Sequence, residues 1–232
     1  MPAAAAAAAP APRERNALIA LGGSFALLAV LVSAGAFTWL DQFSTEHLMP
    51  WLVPNNPPGS TTEGFYRPFR LHTVTWIKLL DLWTYPCSVL ISALIVGAAC
   101  CLLWRRVGPV IAVAPAVIWL AGNAVEVLGK GVITRPALHV PVQGDLVHVA
   151  PFDDSFPSGH MMRGVIVAWA IALAWQRLTP AVIVWVAFVG PALVLQSAHT
   201  ITDVVGGALL GLFLVVAVHP LVTRAPAARA PG

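Results

Sequence analysis

Two short stretches carry proton-active and anion-binding groups. In His199-Thr200-Ile201-Thr202-Asp203 an imidazole and a carboxylate stand four residues apart, which puts both on one face if the segment is helical. An aspartate that accepts the proton of one ring nitrogen fixes the tautomer and leaves the other lone pair exposed, so the histidine can act as nucleophile or base. Alone, the same spacing fits a solvated turn. Pro157-Ser158-Gly159-His160 supplies a complement. A serine N-cap followed by glycine presents free N–H groups at a helix start, where anions bind, phosphate above all. Gly159 lets a ligand approach the backbone closely, Ser158 can donate its hydroxyl, and His160 falls in the first turn. By itself this motif also fits a capped helix with an interfacial histidine.

Cations complete the set. Lys130 and Arg135 end an apolar segment; alone they can anchor it at head groups, but beside an anion-shaped helix start and a His–Asp pair they form a phosphate site. Arg163 follows His160 by one turn within residues that read, from Met161 onward, as a lipid-facing span. A charge there is costly and usually functional, the alternative being an arginine that snorkels to the interface. Glu126, four residues before Lys130, can either position that lysine or compete with substrate for it. His139, Asp145, His148, Asp153 and Asp154 share a loop without the tight spacing of metal ligands, so no metal and no cofactor are expected. Arg67, Arg70 and His72 can meet a lipid phosphate or merely the head groups.

The elements that hold these groups follow from composition. Of 232 residues, 58% are hydrophobic and 10% charged, against roughly 45–50% and 25% in soluble domains, so the chain is an all-α integral membrane protein. A bilayer core takes about 20 apolar residues per helix, which predicts six spans at 17–40, 83–104, 110–128, 159–176, 181–198 and 203–222. The Ala/Pro-rich residues 1–16 are expected to be disordered, 17–222 to form one membrane domain, and 223–232 a cytoplasmic tail. Loops 41–82 and 129–158 are expected to be irregular, the first ending in an amphipathic stretch around LHTVTWIKLLDLW. Cys87, Cys100 and Cys101 are expected as free thiols. A net charge of +3 with scattered arginines excludes nucleic acid as a partner.

Orientation follows from the short cationic flanks. Arg13, Arg15, Arg105, Arg106, Arg177, Arg224 and Arg229 fall on one side of a six-span chain, which the positive-inside rule makes cytoplasmic, together with both termini. Both long loops, the start of the fourth span and the junction of the fifth and sixth then face outward, with every acidic residue except Glu14.

In this order the motifs resemble the type 2 phosphatidic acid phosphatases, integral lipid phosphate phosphatases that share a helical core with vanadium-dependent haloperoxidases. That family's signature reads Lys, six residues, Arg-Pro; then Pro-Ser-Gly-His; then Ser-Arg, five residues, His, three residues, Asp. The middle motif is complete here, and the third keeps His199 and Asp203. Leu128 stands where a lysine in register with Arg135-Pro136 belongs, so Lys130 and Arg135 do not share the family spacing. Ala192-Leu193 replace Ser-Arg, which leaves Arg163 as the candidate substitute.

The resemblance covers about residues 83–222. It implies the helical-bundle core of these enzymes in a cell membrane, and metal-independent hydrolysis of a lipid phosphate at the extracytoplasmic face. Candidate substrates are phosphatidic acid, phosphatidylglycerol phosphate, polyprenyl phosphates or diphosphates, and polyprenyl-linked sugar phosphates. His199, oriented by Asp203, is implied to form a phospho-histidine, with His160 as acid and then base. Lys130, Arg135, Ser158, Gly159 and Arg163 are implied to hold the phosphate. The expected partners are that substrate and the membrane lipids. Two other readings share the motifs: a lipid phosphotransferase using the same intermediate, and a non-catalytic lipid-phosphate binder or transporter.

Overall fold

Within lipid, a backbone must satisfy its polar groups internally, so long apolar runs close into helices. The computed structural model describes residues 11–49, 53–54, 65–66, 75–142 and 145–223. In chain order its helices are α1 (Pro12–Ser33), α2 (Thr38–Phe43), α3 (Thr75–Thr84), α4 (Val89–Val107), α5 (Pro109–Ala112), α6 (Ala114–Val132), α7 (Gly159–Ala174), α8 (Thr179–Leu195) and α9 (Ile201–Thr223). Two short antiparallel ribbons join β1 (Val53–Pro54) to β2 (Phe65–Tyr66), and β3 (His139–Val142) to β4 (Asp145–His148).

Each predicted span carries a helix. Four of them, α1, α4, α8 with its preceding turn, and α9, are long and apolar enough to cross a membrane. The chain is an integral membrane protein. Helix α6 holds Asn123, Glu126 and Lys130. Helix α7 is apolar but has 16 residues, about 24 Å of rise against a hydrocarbon core of about 30 Å.

The short helix is the central one. It packs against α4, α6, α8 and α9, and every residue from Met161 to Ala168 is buried. Composition alone reads this run as lipid-facing; the structure instead encloses it in protein, because an apolar side chain is equally at home in either medium. Glycines of α9 permit the close approach. A Cβ on Gly207 would lie 2.3 Å from the Ser158 carbonyl oxygen, and one on Gly211 would lie 3.0 Å from that of Met162. Small residues of this kind let membrane helices pack backbone to backbone.

Helix α1 differs from its predicted bounds at both ends. It starts at Pro12, inside the segment expected to be disordered, because proline suits a first turn, where its missing N–H is no loss. It stops at Ser33 because Gly35 takes φ +74. The Ala36 N–H then reaches the Leu31 carbonyl at 2.9 Å and the Gly35 N–H reaches that of Val32 at 3.0 Å, a Schellman ending. The freed chain turns back as α2 and delivers Asp41 beneath the loops.

Those loops carry more structure than expected. The β3–β4 ribbon pairs His139 with His148 and Val142 with Asp145. Leu138, Val140, Val149 and Phe152 beside it bury a second small core with Met49 and Val194. The amphipathic stretch before the second span is helix α3. It is clasped to α8 by reciprocal bonds, from the Trp83 indole to the Trp185 carbonyl at 3.3 Å and back at 3.0 Å. Residues 34–49, the end of α3, residues 133–142 and 145–158, and residues 196–200 thus gather at one end of the bundle. At the other end Arg106 Nη1 caps α7 through the Ala174 carbonyl at 2.6 Å. The cysteines are free thiols. Arg67, Arg70, His72 and residues 1–10 and 224–232 lie outside the described residues.

Gly207→Ala places a methyl group where neither backbone can yield, so it should cost about 1–3 kcal/mol, the usual range for overpacking. Thermal unfolding of the purified protein in detergent checks this, with Gly97→Ala, where an added Cβ meets nothing within 4 Å, as the matched control.

Candidate active site

Arg135 organises the loop end. Pro136 favours extended backbone in the residue before it, which keeps this stretch from continuing α6. Pro136 also packs on Gly35, where a Cβ would come within 2.9 Å of its Cγ. The Arg135 side chain is 2% exposed. Its Nη1 donates to Asp41 Oδ2 at 2.9 Å and to Thr200 Oγ1 at 2.8 Å, and its Nη2 donates to Asp203 Oδ1. Nε has no hydrogen-bond partner among the described residues.

Both carboxylates are held from several sides. Asp41 accepts the Thr202 hydroxyl at 2.6 Å and the Thr202 N–H at 3.2 Å. Burial pushes its carboxyl up from the ordinary value, with the Arg135 guanidinium pulling the other way. Asp203 is fully buried; its Oδ2 accepts the Ser155 hydroxyl at 2.7 Å and the Thr200 N–H at 3.0 Å. His199 Nδ1 stands 3.6 Å from that same oxygen. The expected His–Asp pair is therefore present, with Nδ1 turned to the carboxylate.

His199 owes its position to a strained turn. Helix α8 ends with Ser197 at φ +57, a left-handed conformation in which glycine is usual. The Ser197 N–H bonds the Val194 carbonyl and the Ala198 N–H that of Leu193, each at 2.9 Å. This second Schellman ending swings the chain so that His199 faces the start of α7. There His160 meets it, ring centroids 5.8 Å apart. Ser158 caps α7 by accepting the Met161 N–H at 3.2 Å, and its own N–H donates to the Asp203 carbonyl at 2.9 Å. A cavity of about 260 Å³ opens beside His160, lined by Asp81, Thr84, Tyr85, Ser88, Gln196 and Ala198.

Lys130, Arg163 and Gly159 meet around one carboxylate. Glu126 accepts Lys130 Nζ at 2.8 Å and Arg163 Nη1 at 2.6 Å. Arg163 also donates from Nε to the Cys87 carbonyl and from Nη1 to Asn123 Oδ1, each at 2.8 Å. Gly159 is what admits Glu126, since a Cβ there would lie 2.0 Å from all three carboxyl atoms. The two leucines at the family's cation positions go elsewhere: Leu128 is exposed, whereas Leu193 is fully buried.

The residues expected to do the chemistry or hold the phosphate thus sit in two adjoining groups at the two ends of the PSGH turn. His199, Asp203, Arg135 and Ser158 are linked on one side, with His160 facing them. Glu126, Lys130, Arg163 and Gly159 form the other. Sequence reading missed Asp41, Ser155, Thr200, Thr202 and Asn123. Thr200 and Thr202 are neighbours of known candidates, but nothing local ties Asp41 to Arg135, 94 residues away. His148 of the β ribbon pairs with Asp153 at 2.9 Å, and its ring is tilted against that of His139, centroids 5.6 Å apart. Among the described residues no three His, Cys, Asp or Glu side chains are grouped to hold a metal ion.

Comparison with known proteins bears on the family and the fold. Residues 110–226 match the profile of the PAP2 superfamily, just over half of the chain, and the chain belongs to that superfamily. Its fold is similar to the crystal structure of the first transmembrane PAP2 type phosphatidylglycerolphosphate phosphatase from Bacillus subtilis. The TM-score is 0.60 at 18% identity, covering 89% of this chain and 96% of that one. No curated protein matches the chain.

Removing one member of a buried ion pair leaves a bare charge and costs about 3–5 kcal/mol. Asp41→Ala should therefore lower the unfolding midpoint sharply, as read by thermal denaturation in detergent. Ser197→Gly should raise it slightly, by relief of up to about 1 kcal/mol of backbone cost.

Proposed function

We propose that this protein is a lipid phosphate phosphatase that works through a phospho-histidine. The observation that carries the reading is the pair of imidazoles, 5.8 Å apart, with Asp203 behind His199 and a cavity beside His160. Two oriented imidazoles with room for a small group serve acid–base and nucleophilic chemistry; a pure binder has no use for them.

In the proposed reaction His199 Nε2 attacks phosphorus and forms the P–N bond while the ester P–O bond breaks. His160 gives its proton to the leaving oxygen. It then takes one from water, whose oxygen attacks the phospho-histidine and releases inorganic phosphate and free His199. Asp203 keeps the His199 tautomer and stabilises its charge. Arg135 holds Asp203 in place, and its Nε is the donor we assign to the phosphate. Ser158, the Gly159 amide and Lys130 are the further phosphate donors, and Arg163 supports them through Glu126. Charge neutralisation falls to these groups, so activity is expected to survive chelation.

The site lies at the ends of spans, which suits an amphiphile. A head group can enter while its tails stay in the bilayer, avoiding a transfer cost of about 0.8 kcal/mol per CH₂. Cationic flanks at the opposite end support an extracytoplasmic site with cytoplasmic termini in a cell membrane. Phosphatidic acid, phosphatidylglycerol phosphate, polyprenyl phosphates and diphosphates and polyprenyl-linked sugar phosphates are the substrate classes. The Bacillus subtilis neighbour makes phosphatidylglycerol phosphate the first to test.

Purified protein offered this panel should release inorganic phosphate from at least one lipid. His160→Ala should lower turnover by about 10²–10⁴-fold, and His199→Ala by more, because the covalent route disappears. Wild-type turnover in His199→Ala would overturn the mechanism. Transfer of phosphate to an added alcohol in place of release would make the enzyme a phosphotransferase.

A further inference from the structure

Each cation expected to grip phosphate already faces a carboxylate. Arg135 lies between Asp41 and Asp203, and Arg163 and Lys130 share Glu126. The three positive charges are matched by three negative ones before any ligand arrives. A phosphate can meet a full positive charge only if one of these pairs opens, and burial decides which. The side chains of Arg135 and Arg163 are 2% and 4% exposed, and that of Lys130 is 35% exposed. Arg163 has two further protein acceptors; among the described residues Lys130 has Glu126 alone.

The place of Glu126 is equally specific. Its carboxylate lies against Gly159, on the first turn of α7, which also carries His160. That turn favours an anion through the positive end of the helix dipole. Gly129, between Glu126 and Lys130, abuts Pro157, where an added Cβ would come within 2.9 Å of Cδ. The end of α6 is thus pressed onto the PSGH turn, and Lys130 stands beside it.

We propose that Glu126 is a resident anion that makes the site selective for terminal phosphate monoesters over phosphodiesters. A bound monoester dianion draws Lys130 from Glu126, whose charge Arg163 continues to compensate. A phosphodiester carries one negative charge, like the carboxylate it must displace, and gains little from the exchange. Bulk phospholipids are phosphodiesters, so a site open to the bilayer needs a device against them, and an internal competitor of matched charge is one. Glu126 is a positioning residue that acts through Lys130. The proposal rests on the phosphatase reading only in taking phosphate as the ligand.

The test titrates inorganic phosphate and dimethyl phosphate into the purified full chain at about pH 8, where the first is a dianion and the second a monoanion. Wild-type protein should favour inorganic phosphate. In Glu126→Gln, dimethyl phosphate should bind roughly two- to fivefold tighter, the scale of a part-exposed ion pair, and the preference should narrow. Glu126→Asp, which keeps a charge on Arg163 but shortens the reach to Lys130, should shift the same way. Lys130→Gln should flatten the preference alone, and Glu126→Gln should add nothing to it. An unchanged preference in Glu126→Gln overturns the proposal, as does a gain that persists without Lys130. Should Glu126→Gln fail to fold, Lys130→Gln decides: unchanged discrimination overturns the proposal. If no lipid phosphate is hydrolysed while these binding shifts appear, the phosphatase reading falls and Glu126 keeps its role.

Discussion

A guanidinium whose side chain is 2% exposed is tolerable among apolar helices only if anions and acceptors surround it. Arg135 has two carboxylates and a threonine hydroxyl, and they come from segments far apart in sequence: Asp41 after α1, and Thr200 and Asp203 at the start of α9. Satisfying that one charge therefore requires α1 to break at Gly35, residues 133–138 to cross over, and α9 to begin where it does. The same contacts seat Asp203 behind His199. The burial of one cation and the orientation of the His–Asp pair are met by one ion-pair cluster.

The histidines are placed by backbone rather than by charge. His160 rides on the first turn of α7, which close glycine contacts press against α9. His199 follows a left-handed serine that ends α8. Neither ring sits on a flexible loop, and both hang from the ends of packed helices. Preorganisation of this sort is what lets fixed dipoles and charges stabilise a transition state without rearranging. Lys130, the more exposed member of the charged set, is the part of the site with freedom to move.

Arg163 shows how a charge inside an apolar helix is accommodated. Buried in α7, it holds Glu126 with Asn123 and the Cys87 carbonyl as its further partners. Near it the family's second arginine position is filled by Leu193, which is fully buried with Cys87 in an apolar cluster. The site thus differs from the family pattern in how its charge is distributed. Its cations are each paired with a carboxylate of the chain itself.

Much of this was legible in the residues themselves. Hydrophobic length placed a helix at each predicted span, because a helix is the form in which an apolar run satisfies its backbone in a bilayer. The His-x-x-x-Asp spacing and the PSGH turn marked the candidate groups, because local geometry fixes both. What sequence could not decide was anything dependent on distance through space. It could not tell that α7 faces protein instead of lipid, since both media are apolar. It could not find Asp41, nor show that Gly159 makes room for Glu126, since these depend on how separate segments meet. The residues determined which chemistry was available; packing determined which charges were already paired.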